Sequence, residues 1–128
     1  MSVSAELGFS YDLVPDKIYR VVAISFVTQS PAFGTAILFD IIDEAGLLMP
    51  IPACLFEVVD PRCSARWLGQ DRGRGNFVMW PAPFFIPYFH DRLSEGERDA
   101  VAILQKVIDE MREEDRAAKS TSSSEEIE

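Results

Sequence analysis

Residues that hold metals or carry redox chemistry are scarce in this chain. It has one histidine, His90, and two cysteines, Cys54 and Cys63. A tetrahedral zinc site takes four such ligands, so three fall short unless carboxylates complete the set. No metal and no cofactor is expected. The start, Met1-Ser2-Val3-Ser4-Ala5-Glu6, has neither a basic n-region nor an apolar h-region, so no signal peptide is read there. The cysteines are therefore expected as reduced thiols in a cytoplasmic protein. No apolar run approaches the ~20 residues of a membrane helix. Basic residues are few as well, 12 against 21 acidic, giving a net charge of −9. Nucleic acid is polyanionic and needs a concentration of Lys and Arg, so it is not an expected partner. An anionic membrane surface is disfavoured for the same reason.

What the chain does have is apolar bulk. Hydrophobic residues make up 48% of 128 residues, enough for one core and too many to stay solvated as a disordered chain. Residues 1–16 read as a loosely ordered N-terminal segment, 17–116 as a single α+β domain, and the Ser- and Glu-rich 117–128 as a disordered acidic tail.

Ile18 to Val27 and Thr35 to Ile42 are β-branched and aromatic runs, apolar on both faces. They predict central strands covered on both sides. Asp43-Glu44-Ala45-Gly46 is a turn. Leu47 to Ile51 returns as an edge strand, because Pro50 and Pro52 remove backbone donors. Ala53 to Phe56 suits a single helical turn and Glu57 to Asp60 a short strand. Cys63 to Leu68 and Asn76 to Trp80 read as a hairpin around an exposed loop at 69–75. Ser94 to Glu97 has the form of a capping box, with Ser94 as the N-cap of a helix running to about residue 116. Val101, Leu104, Ile108 and Met111 would form its apolar stripe, widened by Ile103 and Val107. The order of elements predicts an α+β fold: an antiparallel β-meander of five to six strands, which an SH3-like half-barrel would accommodate, packed by one long C-terminal helix.

Catalytic constellations are not apparent. Cys63-Ser64 has no local base, and there is no G-x-S-x-G elbow. Gly73-Arg74-Gly75 lacks the Lys-Ser/Thr of a phosphate loop. Asp40, Asp43, Glu44, Glu57 and Asp60 sit near strand ends, where a solvated acidic rim is the ordinary outcome. His90-Asp91 is the best acid–base pair on offer, but adjacent side chains rarely face one another.

The segment from Trp80 to Phe89, WPAPFFIPYF, stands out. Three prolines at 81, 83 and 87 forbid a regular helix or central strand, so its aromatics either close the core or form a rigid anchor for a partner. Phe85 and Phe89 are expected inward, Phe84 and Tyr88 outward. The candidate partner-binding residues are Phe84 and Tyr88 on this segment, Asp43 and Glu44 on the acidic rim, and Arg72 and Arg74 in the glycine-rich loop.

Pro52 to Asp60 (PACLFEVVD) with Ser64 and Trp67, then Trp80-Pro81 with Tyr88 to Ser94 (YFHDRLS), resemble small bacterial proteins of the immunity type, which neutralise a cognate toxin. The resemblance implies an acidic, cytosolic, partner-binding domain with no catalytic set, and it assigns no binding residue. The function expected is a non-catalytic inhibitor of a basic partner such as a toxin or effector. The alternatives are a small enzyme using His90 with nearby carboxylates, and an accessory subunit of a larger complex, which the charged outer face of the helix disfavours.

Overall fold

The apolar run after Pro15 forms two strands in two different sheets. β2 (Ile18–Arg20) ends where the chain turns through Val21 and Val22, and β3 (Ala23–Ser30) begins the second sheet. The Val21 N–H donates to the Met1 carbonyl and the Val22 N–H to the Asp40 carbonyl. Both side chains are buried. The crossing is thus fixed by two long-range backbone bonds, with no Gly or Pro at the bend.

The computed structural model describes residues 1–5 and 11–127, with side chains through residue 118. It divides into two compact units, Met1–Pro81 and Ala82–Glu128. In the first unit, β1 (Ser2–Ala5) is the central strand of a three-stranded sheet, between β2 and β6 (Phe56–Asp60). Val3 and Ala5 are fully buried. This corrects the loosely ordered start expected for residues 1–16, at least for residues 2–5; residues 6–10 lie outside the described residues. A four-residue stretch with two small polar side chains carries too little local pattern to be read as a strand, and its partners β2 and β6 create it.

The second sheet has five strands in the order β5-β4-β3-β8-β7, where β4 is Gly34–Ile42, β5 Leu48–Pro52, β7 Trp67–Gly73 and β8 Asn76–Pro81. Every pairing in both sheets is antiparallel. β3 and β4 are neighbours, as expected, and β5 with its two prolines lies on an edge. The class is α+β with mostly strands, as the sequence predicted. There are eight strands among the described residues, and the sheets are open. The order is not a pure meander, because β3 pairs with the distant β8.

Ile41 and Ile51 are fully buried, and the Phe39 ring meets Phe56 of the other sheet at 6.0 Å between centroids. The Trp67 indole N–H donates to the Val22 carbonyl at 2.8 Å, and the Trp80 indole N–H to Ser25 Oγ at 3.0 Å. Each polar tip thus has a partner.

The hairpin after Cys63 is longer and tighter than the sequence implied. β7 reaches Gly73, so the expected loop at 69–75 shrinks to a two-residue turn at Arg74-Gly75. Both turn residues have positive φ, +54° and +80°, the signature of a type I′ turn whose twist suits a hairpin. Thr28 of β3 secures it: its N–H donates to Asn76 Oδ1 and its hydroxyl to the Gly75 carbonyl, at 2.8 and 2.7 Å.

In the second unit a 3-10 turn, Ala82–Phe85, precedes α1 (Phe89–Ser94) and α2 (Arg98–Ile127). Ser94 is not an N-cap; it is the last residue of α1. The Gly96 N–H donates to the Leu93 carbonyl and the Glu97 N–H to the Arg92 carbonyl, with Gly96 at φ +72°. That pair of bonds is a Schellman motif, so the glycine inside the apparent capping box ends one helix before the next begins. Arg92 and Glu97, the positions that usually make the motif's apolar contact, form an ion pair instead, and Arg92 also bonds Asp99 at the start of α2. The buried stripe of α2 is Ala100, Leu104, Val107 and Met111, while Val101 is exposed. α2 extends to Ile127, past the expected end near residue 116. The tail expected as disordered at 117–128 is thus helical through Ile127; its side chains from residue 119 on lie outside the described residues.

Candidate protein-binding surface

Prolines and buried aromatics together shape the segment before α1. Pro83 and Pro87 fix φ and remove donors, so the chain closes by short turns. The Ile86 N–H donates to the Pro83 carbonyl at 3.1 Å and the Phe89 N–H to the Ile86 carbonyl at 3.0 Å. Phe84 and Phe89 stack at 5.4 Å between centroids, and His90 stands edge-on to both, at 5.2 and 6.0 Å.

Phe84 is only 2% exposed, which corrects its expected outward orientation. The 3-10 turn at Ala82–Phe85 rotates it inward, where Phe89 provides a ring to pack against. Tyr88 is 78% exposed, as expected, and Ile86 beside it is exposed too, a residue that sequence reasoning missed. Tyr88 adopts the left-handed conformation, φ 62° and ψ 15°, at the start of α1. A non-glycine residue held there costs about 1–3 kcal/mol and persists only when its surroundings enforce it. Buried Phe84 and Phe89 on either side are the enforcing anchors. The result is a loop with two apolar side chains in solvent, tied to the fold by buried rings.

The unit that carries this loop is acidic in sequence. Residues 82–128 hold twelve carboxylate and six basic side chains, so −6 of the net −9 falls in this unit. Asp43 and Glu44 lie in the other unit and have structural work there. Asp43 Oδ1 accepts from the Ala45 and Leu47 N–H groups, both at 2.9 Å, which closes the turn. Glu44 Oε1 accepts from Lys17 Nζ at 2.7 Å and from the Tyr19 hydroxyl at 2.5 Å. These bonds hold the Glu44 carboxyl below its ordinary range, and the same bond from Lys17 raises the lysine. Arg72 lies over the Trp80 ring at 5.3 Å and donates to Gln70 Oε1 at 2.8 Å. Arg74 is exposed at the hairpin turn. The six expected residues lie in three places along the chain: Asp43, Glu44, Arg72 and Arg74 in the first unit, and Phe84 and Tyr88 in the second.

His90 takes the place of a packed ring beside Phe84 and Phe89. No group of three or more His, Cys, Asp or Glu side chains suited to a metal is found among the described residues, and no helix there is long and apolar enough to cross a membrane.

One strongly perturbed acid was not singled out from sequence. Asp40, in the interior strand β4, is 6% exposed and flanked by Ala23 of β3 and Pro50 of β5. Burial alone pushes its carboxyl up to about 7. In sequence it looked like one more strand-end carboxylate; the neighbouring strands are what bury it. Comparison with protein-family models, with curated proteins and with solved structures finds no match for this chain.

Proposed function

We propose that this protein is a non-catalytic protein-binding domain, of the immunity or antitoxin type, that inhibits a basic partner by covering one of its surfaces. The observation that carries the reading is Tyr88: a large aromatic side chain, 78% exposed, on a backbone fixed in a costly conformation by buried neighbours. Rigid aromatic anchors are what interface hot spots are made of, because little entropy is lost when they bind. The unit's net charge of −6 suits a basic partner and steers its approach.

The test is site-directed crosslinking. A photoreactive phenylalanine analogue at position 88 of the full chain is irradiated in extract of the native host, and the captured protein is then purified for kinetics. Association should slow steeply between 0.1 and 1 M salt, as the Debye length falls from ~10 to ~3 Å. Tyr88→Ala should speed dissociation about 30-fold, which corresponds to ~2 kcal/mol. Salt-independent association together with an unchanged off-rate would remove the reading. An enzyme built on His90 would instead lose turnover on His90→Ala while keeping its affinity.

A further inference from the structure

The five-stranded sheet has two unlike edges. β5 is guarded: it is five residues long and contains Pro50 and Pro52. β7 is seven residues long and contains no proline, and every residue from Leu68 to Gly73 is exposed. Natural edges are usually blunted by prolines, short length or a cover, because unpaired backbone groups invite another strand. Here one edge of the sheet is blunted and the other is open from Leu68 to Asp71, before the bulge that precedes Gly73.

Side chains equip this open edge on both faces. On one face Leu68 is 52% exposed. On the other, Phe77 of β8 leans across Gly69: a Cβ built on that glycine would meet Phe77 Cζ at 2.9 Å. The glycine lets the ring reach toward the edge, and Phe77 remains 41% exposed. An incoming strand would find an aromatic platform beside its own side chain.

The charge here is opposite to that of the rest of the molecule. Residues 66–74 hold Arg66, Arg72 and Arg74 against Asp71 alone, a net of +2 in a chain of net −9. Arg72 is held over Trp80 and oriented by Gln70, so little of its side-chain freedom is left to lose on meeting a carboxylate.

We propose that the β7 edge is a strand-addition site for an acidic extended peptide segment carrying an apolar residue that rests against Phe77. The proposal goes beyond the inhibitor reading, since this edge belongs to the first unit and selects a ligand of opposite charge. Backbone pairing supplies the affinity, and the Phe77 platform with the arginines supplies the selection.

Synthetic seven-residue peptides test it. Each alternates threonine with one varied apolar residue, carries two Glu or two Lys, and is titrated into the full chain by fluorescence anisotropy. The Glu series should bind at least tenfold tighter than the Lys series. N-methylation along one edge of the peptide should abolish binding, and along the other edge leave it within twofold, because only one edge pairs. Arg72→Glu should reverse the charge preference. Absence of binding throughout the Glu series, or equal response to both N-methylated series, would overturn the proposal. So would sedimentation showing that a second copy of the chain occupies this edge.

Discussion

Removing the charge from Asp40 should stabilise the protein at alkaline pH and do little in acid. The carboxyl is 6% exposed in an interior strand, and burial raises it from an ordinary 3.8 to about 7. A raised acid keeps its proton in the folded state while the unfolded chain has lost it. Between pH ~4 and ~7 the folded state therefore binds more protons, and stability falls as pH rises. Below that window both states are protonated, and above it both are ionised, so this group contributes no slope in either range. At about 1.4 kcal/mol per pH unit, the window spans roughly 4 kcal/mol as a ceiling. Asp40→Asn is nearly isosteric with the protonated acid and cannot ionise. The difference in unfolding free energy between variant and wild type should grow by ~3 kcal/mol from pH 5 to pH 8 in favour of the variant. Urea titrations followed by the fluorescence of Trp67 and Trp80 measure it, and other titrating groups cancel in the difference. A gap that stays constant within ~0.5 kcal/mol across that range would show that Asp40 is ionised in the folded state at no cost.

Gly75→Ala should cost about 2 kcal/mol in the same urea assay, because a Cβ there meets Thr28 Oγ1 at 2.8 Å and φ is +80°. Ser94→Ala should leave the midpoint unchanged within ~0.5 kcal/mol, whereas Gly96→Ala should lose ~1 kcal/mol, since Gly96 carries the Schellman turn; the reverse order would restore Ser94 as a cap. Tyr88→Gly should hold the unfolding free energy or raise it by up to ~1 kcal/mol by relieving the left-handed tyrosine, while partner affinity falls; loss of both together would mean that Tyr88 is part of the core.

Much of the fold follows from local chemistry. The apolar runs read at 18–27 and 35–42 supply β3 and β4, which are adjacent antiparallel strands, because β-branched and aromatic residues suit a pleated sheet. Prolines 50 and 52 put β5 on an edge, since a proline cannot donate to a second neighbour. The exposed Tyr88 was legible too, because prolines keep its segment out of regular structure. Tertiary structure decided the rest. The run from Ile18 to Val27 contains no breaker, yet it changes sheets at Val21-Val22, where the carbonyls of Met1 and Asp40 are the acceptors. Phe84 and Tyr88 look alike in sequence, and only the Phe89 ring draws one inward. Ser94-x-x-Glu97 satisfies a capping pattern equally well at a helix start or across a helix break, and Gly96 at positive φ selects the break. Asp40 is an ordinary carboxylate until strands on both sides exclude water from it. A residue's type fixes which partners it tolerates, but the distant strands and rings that arrive beside it set its burial, and with that its charge and its role.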